Sequence, residues 1–134
     1  NKNWEIVYEI INAFIEGGSY SGESSDYPEE KVEINVDYSS QGIIPFIGWF
    51  AGHSHIDITG KDPNHQFITR VTVCATSNNR RTSTGSAGVG EYYTYDRPNN
   101  SKETTAFDVV SINLRERKVN ITRIGAGNNA EFNY

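Results

Sequence analysis

Two imidazoles one residue apart are the side chains in this chain best suited to chemistry. They are His53 and His55, in the run Gly52-His53-Ser54-His55. Neutral imidazole ligates divalent transition metals, and beside oxygen donors it suits manganese, iron or zinc. On an extended segment, residues two apart point to one side with Cα atoms roughly 6.5 Å apart. Two such rings can each reach a different ion of a pair separated by roughly 3.5–4 Å. Ser54 between them is small, and Gly52 lets the backbone bend. The same pattern also fits a polar loop.

The stretch that delivers the pair is "IIPFIGWFAG", residues 43 to 52. It predicts a strand over 43–51, buried on both faces, with Pro45 near its start. Open sheets place ligands at the carboxyl ends of such strands. Asp57 follows the pair by two residues. It either orients His55 through the far ring nitrogen or is an ordinary polar residue on a wet strand face. His65, in "PNHQ" (residues 63 to 66), reads as a turn residue. Arg70 and Arg123 lie within apolar strand patterns, where each meets either phosphate or a buried carboxylate. Tyr92, Tyr93 and Tyr95, beside Asp96 and Arg97, either line a substrate or partner surface or stud a mobile loop.

The elements that hold these residues follow from periodicity. Trp4, Val7, Tyr8, Ile11, Phe14 and Ile15 recur at three- and four-residue spacing. They predict a helix over 4–16, with Asn3 as N-cap and Gly17-Gly18 as stop. Residues 17 to 30 read as a turn-rich loop. Strict alternation in "KVEINVDY" predicts a strand over 31–38. Further strands are expected over 66–76, 106–114 and 118–124, with a short one at "IDIT". Residues 77 to 105 read as a long polar loop, functional or mobile. The fold class is therefore α+β, one N-terminal helix packed on a mixed or antiparallel β-sheet.

The chain has 134 residues, room for one domain and one core. No apolar run is long enough to cross a membrane as a helix, so no membrane partner is expected. The net charge of −5 argues against nucleic acid, and Arg80-Arg81 is too small a cluster to reverse that. Cys74 is the only cysteine, so an internal disulfide is excluded. Its β pattern marks it as a small buried hydrophobe. Glu29, Glu30 and Glu33 read as a solvated charge cluster. The sequence contains no methionine, not even at position 1. A piece of a larger protein, beginning after its native start, is the expectation.

An apolar strand followed by Gly-His-Ser-His resembles the last signature block of the calcineurin-like metallophosphoesterases. The tail "AFDVVSINLRERKVNITRIGAGNNAEFNY", residues 106 to 134, is similar to the terminal hairpin of bacterial and phage members. The helix and "EGGSYSG", residues 16 to 22, are similar to the same members. The resemblance covers nearly all of this chain but only the C-terminal part of the family's domain. It implies the C-terminal half of an αββα sandwich. It implies two divalent metal ions, manganese, iron or zinc, with His53 on the second and His55 on the first. The implied activity is hydrolysis of a phosphomono- or phosphodiester.

The family's Asp-x-His, Gly-Asp-x-x-Asp and Gly-Asn-His-Glu/Asp blocks are missing, and no histidine precedes His53. The resemblance therefore implies a C-terminal fragment whose partner is the remainder of the phosphoesterase domain. Alone, it is expected to be inactive and to bind at most one ion weakly. Two other readings stand beside it. One is a non-enzymatic structural or binding module of a phage or cell surface. The other is a metal-binding domain that uses the pair across a dimer interface.

Overall fold

The computed structural model describes residues 3–23, 32–72, 83–87 and 89–134. The chain divides into two compact units, Asn1–Phe46 and Ile47–Tyr134.

In the first unit, α1 (Trp4–Glu16) forms over the predicted span. It ends where expected. Gly17 takes the left-handed conformation, and the Gly18 N–H donates to Ala13 O at 2.8 Å. Asn3 stands at the N-cap position, but its backbone is left-handed and its side chain makes no capping bond. The predicted cap is therefore not made. β1 (Ser19–Glu23) and β2 (Glu33–Asp37) pair antiparallel, from Ser19 opposite Asp37 to Glu23 opposite Glu33. α1 packs beside this hairpin, with Ala13 buried and the Phe14 ring edge-on to Tyr38 at 5.4 Å. β2 alternates as its sequence requires. β1 falls where a loop was expected, because among serines and glycine only Tyr20 signals an inward position. Glu29 and Glu30 lie outside the described residues.

The second unit carries two sheets. β3 (Trp49–Ala51), β4 (Asp57–Gly60), β5 (Thr69–Val71), β6 (Ser83–Ala87) and β7 (Gly90–Thr94) form a five-stranded mixed sheet in the order β3-β5-β4-β7-β6. Only β3 and β5 run parallel. β8 (Phe107–Asn113), β9 (Lys118–Ile124) and β10 (Ala130–Asn133) form a three-stranded antiparallel sheet in the order β10-β9-β8. Val119, Ile121 and Phe132 make the core, with Ile47, Ile68, Ala130 and Tyr134 packed around them. Residues next to β3 and β5 thus meet the inner face of the three-stranded sheet. Among the described residues, one helix and three sheets make an α+β fold, mostly strand.

Two sequence expectations change, and a further strand is found. The strand over 43–51 shrinks to Trp49–Ala51, and it is not buried on both faces: Phe50 is 43% exposed. Pro45 offers no N–H to a ladder, and Gly48, at φ 152°, turns the chain just before β3. Ile43 is 83% exposed. The long loop contains the β6–β7 hairpin, which extends the sheet beyond β4. Its Ser, Thr, Gly and Tyr composition hides the alternation. The asparagine-rich tail contains β10, which turns Phe132 into the core. Of the strand expected over 66–76, β5 is seen. Residues 73–76 with Cys74, and Arg80-Arg81, lie outside the described residues.

Candidate functional site

β3 ends at Ala51, and the two histidines follow just past Gly52, at the carboxyl end of the parallel β3–β5 pair. That is the predicted location. The conformation is not the predicted one. His53 has φ 77° and His55 has φ 55°, so the segment bends at both residues and is not extended. The same-side geometry of an extended strand does not apply to them. Each left-handed residue costs about 1–2 kcal/mol for a side chain with a Cβ. Such outliers persist only where their flanks hold them, and they gather at ligand clamps and active sites.

The flanks here are firm. On one side the Thr72 N–H donates to Ala51 O at 2.9 Å, continuing the β3–β5 ladder. On the other, Asp57 opens β4 from a buried ionic network. Both imidazoles are exposed. They fit a borderline divalent metal in type but not in number. Among the described residues, no three His, Cys, Asp or Glu side chains come together to hold an ion.

Asp57 is only 3% exposed, so the wet strand face expected for it is corrected. Arg123 donates from Nη2 to Asp57 Oδ1 at 2.7 Å and from Nε to Asp108 Oδ1 at 2.7 Å. Arg70 donates to Asp108 Oδ2 from Nε at 3.2 Å and from Nη2 at 3.0 Å, and it lies 3.6 Å from Asp57 Oδ1. The third Arg70 nitrogen, Nη1, donates to Thr59 Oγ1 at 3.1 Å. The Thr72 hydroxyl donates to Asp108 Oδ2 at 2.6 Å and accepts from Arg123 Nη2 at 2.9 Å. Two carboxylates and two guanidiniums therefore balance inside the protein, and together they tie β4 and β5 to β8 and β9.

Burial pushes the Asp108 carboxyl upward. Hydrogen bonds from Thr72 and Arg123, with the charges of Arg70 and Arg123, outweigh that and hold it below its ordinary range. Burial likewise opposes the charge on Arg123, but the hydrogen bonds to Asp57 and Asp108 hold its pKa above the usual value.

Arg70 and Arg123 thus meet buried carboxylates, one of the two roles expected for them. Asp108 and Thr72 were not singled out from the sequence. The signal for Asp108 was a charge within the apolar pattern of β8, in phase with Val110 and Ile112. The segment after β9 wraps Arg123. Ala126 O accepts from its Nη1 at 2.8 Å, and Asn129 Oδ1 accepts from its backbone N–H at 2.9 Å. Gly127, at φ 122°, leaves room for the guanidinium, since a Cβ there would lie 2.6 Å from Nη1.

His65 closes a turn by donating its backbone N–H to Asp62 O at 3.0 Å, as expected of a turn residue. Its ring faces inward, 7% exposed, and stacks on Phe67 at 5.4 Å. Arg97 is also buried, at 1%. Tyr93 lies on β7 opposite Asp57, and Tyr95 lies just beyond that strand's end. Glu91 and Tyr93 on one face of β7, with Tyr95 just beyond it, line a cleft of about 500 Å³ together with the buried Asp57 and Arg70. Asn128 and Asn129, ahead of β10, also line it.

Comparison with protein-family models, with curated proteins and with solved structures yields no match to this chain in any of the three.

Proposed function

We propose that this chain is the C-terminal part of a dinuclear-metal phosphoesterase of the calcineurin-like kind, and that it supplies His53 and His55 as metal ligands. One observation carries the reading. Two exposed histidines, one residue apart, both hold left-handed backbone at the carboxyl end of a parallel strand pair. A surface loop has no need to sustain that strain twice, and glycine or asparagine would relieve it.

The remaining ligands would come from the rest of the domain. Among the described residues β3 is an edge strand, free to receive further strands. Phe107, Val109, Val110 and Ile112 on β8 leave apolar area for such a neighbour to cover. When bound, the metal ions polarise the phosphate ester and activate water. This chain's residues then hold and orient. The two imidazoles bind as neutral donors. The Ala51–Thr72 bond and the ion pairs of Asp57 pin the bend between β3 and β4 at both ends.

The test is hydrolysis of an aryl phosphate and an aryl phosphodiester with added manganese. It is run on the polypeptide that carries this chain with whatever precedes it in its gene. Turnover is expected, and His53→Ala or His55→Ala should each reduce it at least about a hundredfold while the far-ultraviolet circular dichroism stays unchanged. The isolated chain should show no turnover and bind at most one manganese ion. Unchanged turnover in both alanine variants would overturn the ligand assignment. Turnover by the isolated chain at the longer polypeptide's rate would overturn its standing as a part.

A further inference from the structure

We propose that the cleft between β7 and the segment ahead of β10 binds a neutral polyhydroxyl ligand, a sugar or the sugar portion of a larger molecule. The inference goes beyond the metal-site reading and does not need it.

Size comes first. At about 500 Å³ the cleft falls within the usual range for small-molecule sites, about 300–1,000 Å³. Charge comes second. The arginine in its lining, Arg70, has all three guanidinium nitrogens engaged with Asp108 and Thr59. Asp57 is paired with Arg123. Glu91 is then the one lining residue whose charge is not balanced inside the network. An anion such as phosphate would meet a carboxylate and no uncommitted guanidinium.

Hydrogen-bonding capacity is third and decides the class. Tyr93 donates its hydroxyl proton to Glu91 Oε2 at 2.8 Å, so its oxygen offers lone pairs. Tyr95 lines the same cleft with a hydroxyl that can both donate and accept. The Asn129 side-chain carbonyl accepts the Arg123 N–H, which orients the side chain, and its amide nitrogen has two donors to offer a ligand. The lining thus offers both donors and acceptors. An amine only donates and an anion only accepts, whereas neighbouring hydroxyls do both. Tyr93, 40% exposed, adds an aromatic surface for the C–H edges of a sugar ring. Two residues of chain span at most about 7 Å, so the Asp57 backbone lies within that distance of the His55 backbone.

The test uses the ¹⁵N-labelled chain without metal, titrated separately with D-ribose, methyl α-D-glucopyranoside, inorganic phosphate and ethylamine. At least one sugar should shift the amides of Glu91, Tyr93, Asn128 and Asn129 with saturation in the millimolar range. Phosphate and ethylamine should not. Tyr93→Ala and Glu91→Gln should each weaken sugar binding about tenfold, and the exposed Glu91 position keeps the test open if Tyr93→Ala misfolds. His53→Ala and His55→Ala should bind sugar unchanged. The proposal is overturned if neither sugar gives saturable shifts up to tens of millimolar. It is also overturned if phosphate or ethylamine moves the same amides as strongly, or if folded Glu91→Gln binds sugar as before. Because no metal or hydrolysis enters, these outcomes are separate from those that test the phosphoesterase reading.

Discussion

Arg123→Ala is expected to cost about 3–5 kcal/mol of folding stability, the usual result of removing one partner from a buried ion pair. The guanidinium joins Asp57 and Asp108, both at 2.7 Å, with side chains 4% and 5% exposed. Its loss leaves both buried carboxylates without their shortest ion-pair partner and opens a void where Ala126 O was satisfied. Arg123→Lys keeps the charge but not the planar fork that reaches two carboxylates, so it should recover only part of the loss.

The acid limb checks the mechanism. The folded-state pKa of Asp108 is depressed, so its contribution is present above the ordinary carboxylate range and is lost as pH falls through the lower folded value. Arg123 is one cause of that depression, so the alanine variant should lose stability less steeply on acidification. Urea unfolding at neutral pH and through the acid range measures both. Wild-type stability in Arg123→Ala, or an acid limb of undiminished slope, would refute the assigned role.

Gly125→Ala is expected to be comparably severe, about 3 kcal/mol or more, combining left-handed strain with overpacking. At φ 89° its Cβ would lie 1.8 Å from Thr105 O and 2.9 Å from Thr105 C, backbone atoms that cannot swing aside. Gly42 provides the control. Its φ is 67°, but an added Cβ meets nothing within 4 Å. Gly42→Ala should therefore show only the strain, about 1–2 kcal/mol. Thermal unfolding of the two variants compares them directly. Equal losses would show that contact with Thr105 is not what excludes a side chain from position 125.

What could be read from sequence depended on how densely each segment carried its pattern. α1 was legible because apolar residues recur at helical spacing up to a paired-glycine stop. The β8–β9 hairpin was legible because Val and Ile crowd both strands around a charged turn. β1, β6 and β7 were not, since serine, threonine, glycine and tyrosine do not separate an inward from an outward position. The histidine pair could be found by residue type and spacing. Its left-handed backbone could not, because negative φ is the default for any residue other than glycine. Arg70 and Arg123 stood out as charges in apolar strands. Their partners did not, because Arg123 finds Asp57 sixty-six positions away, through the pairing of sheets rather than along the chain.

The network also restricts how this sequence can drift. Asp57, Arg70, Asp108 and Arg123 sit on four strands and share hydrogens, so the cost of changing any one depends on the other three. Every single step strands a buried charge. Replacing all four together by apolar residues of matched volume leaves none, and such replacements of buried ion pairs are often neutral or stabilising. The two end states lie close in free energy and far apart in mutational path. Descendants of this chain should therefore keep the four residues or lose them as a set.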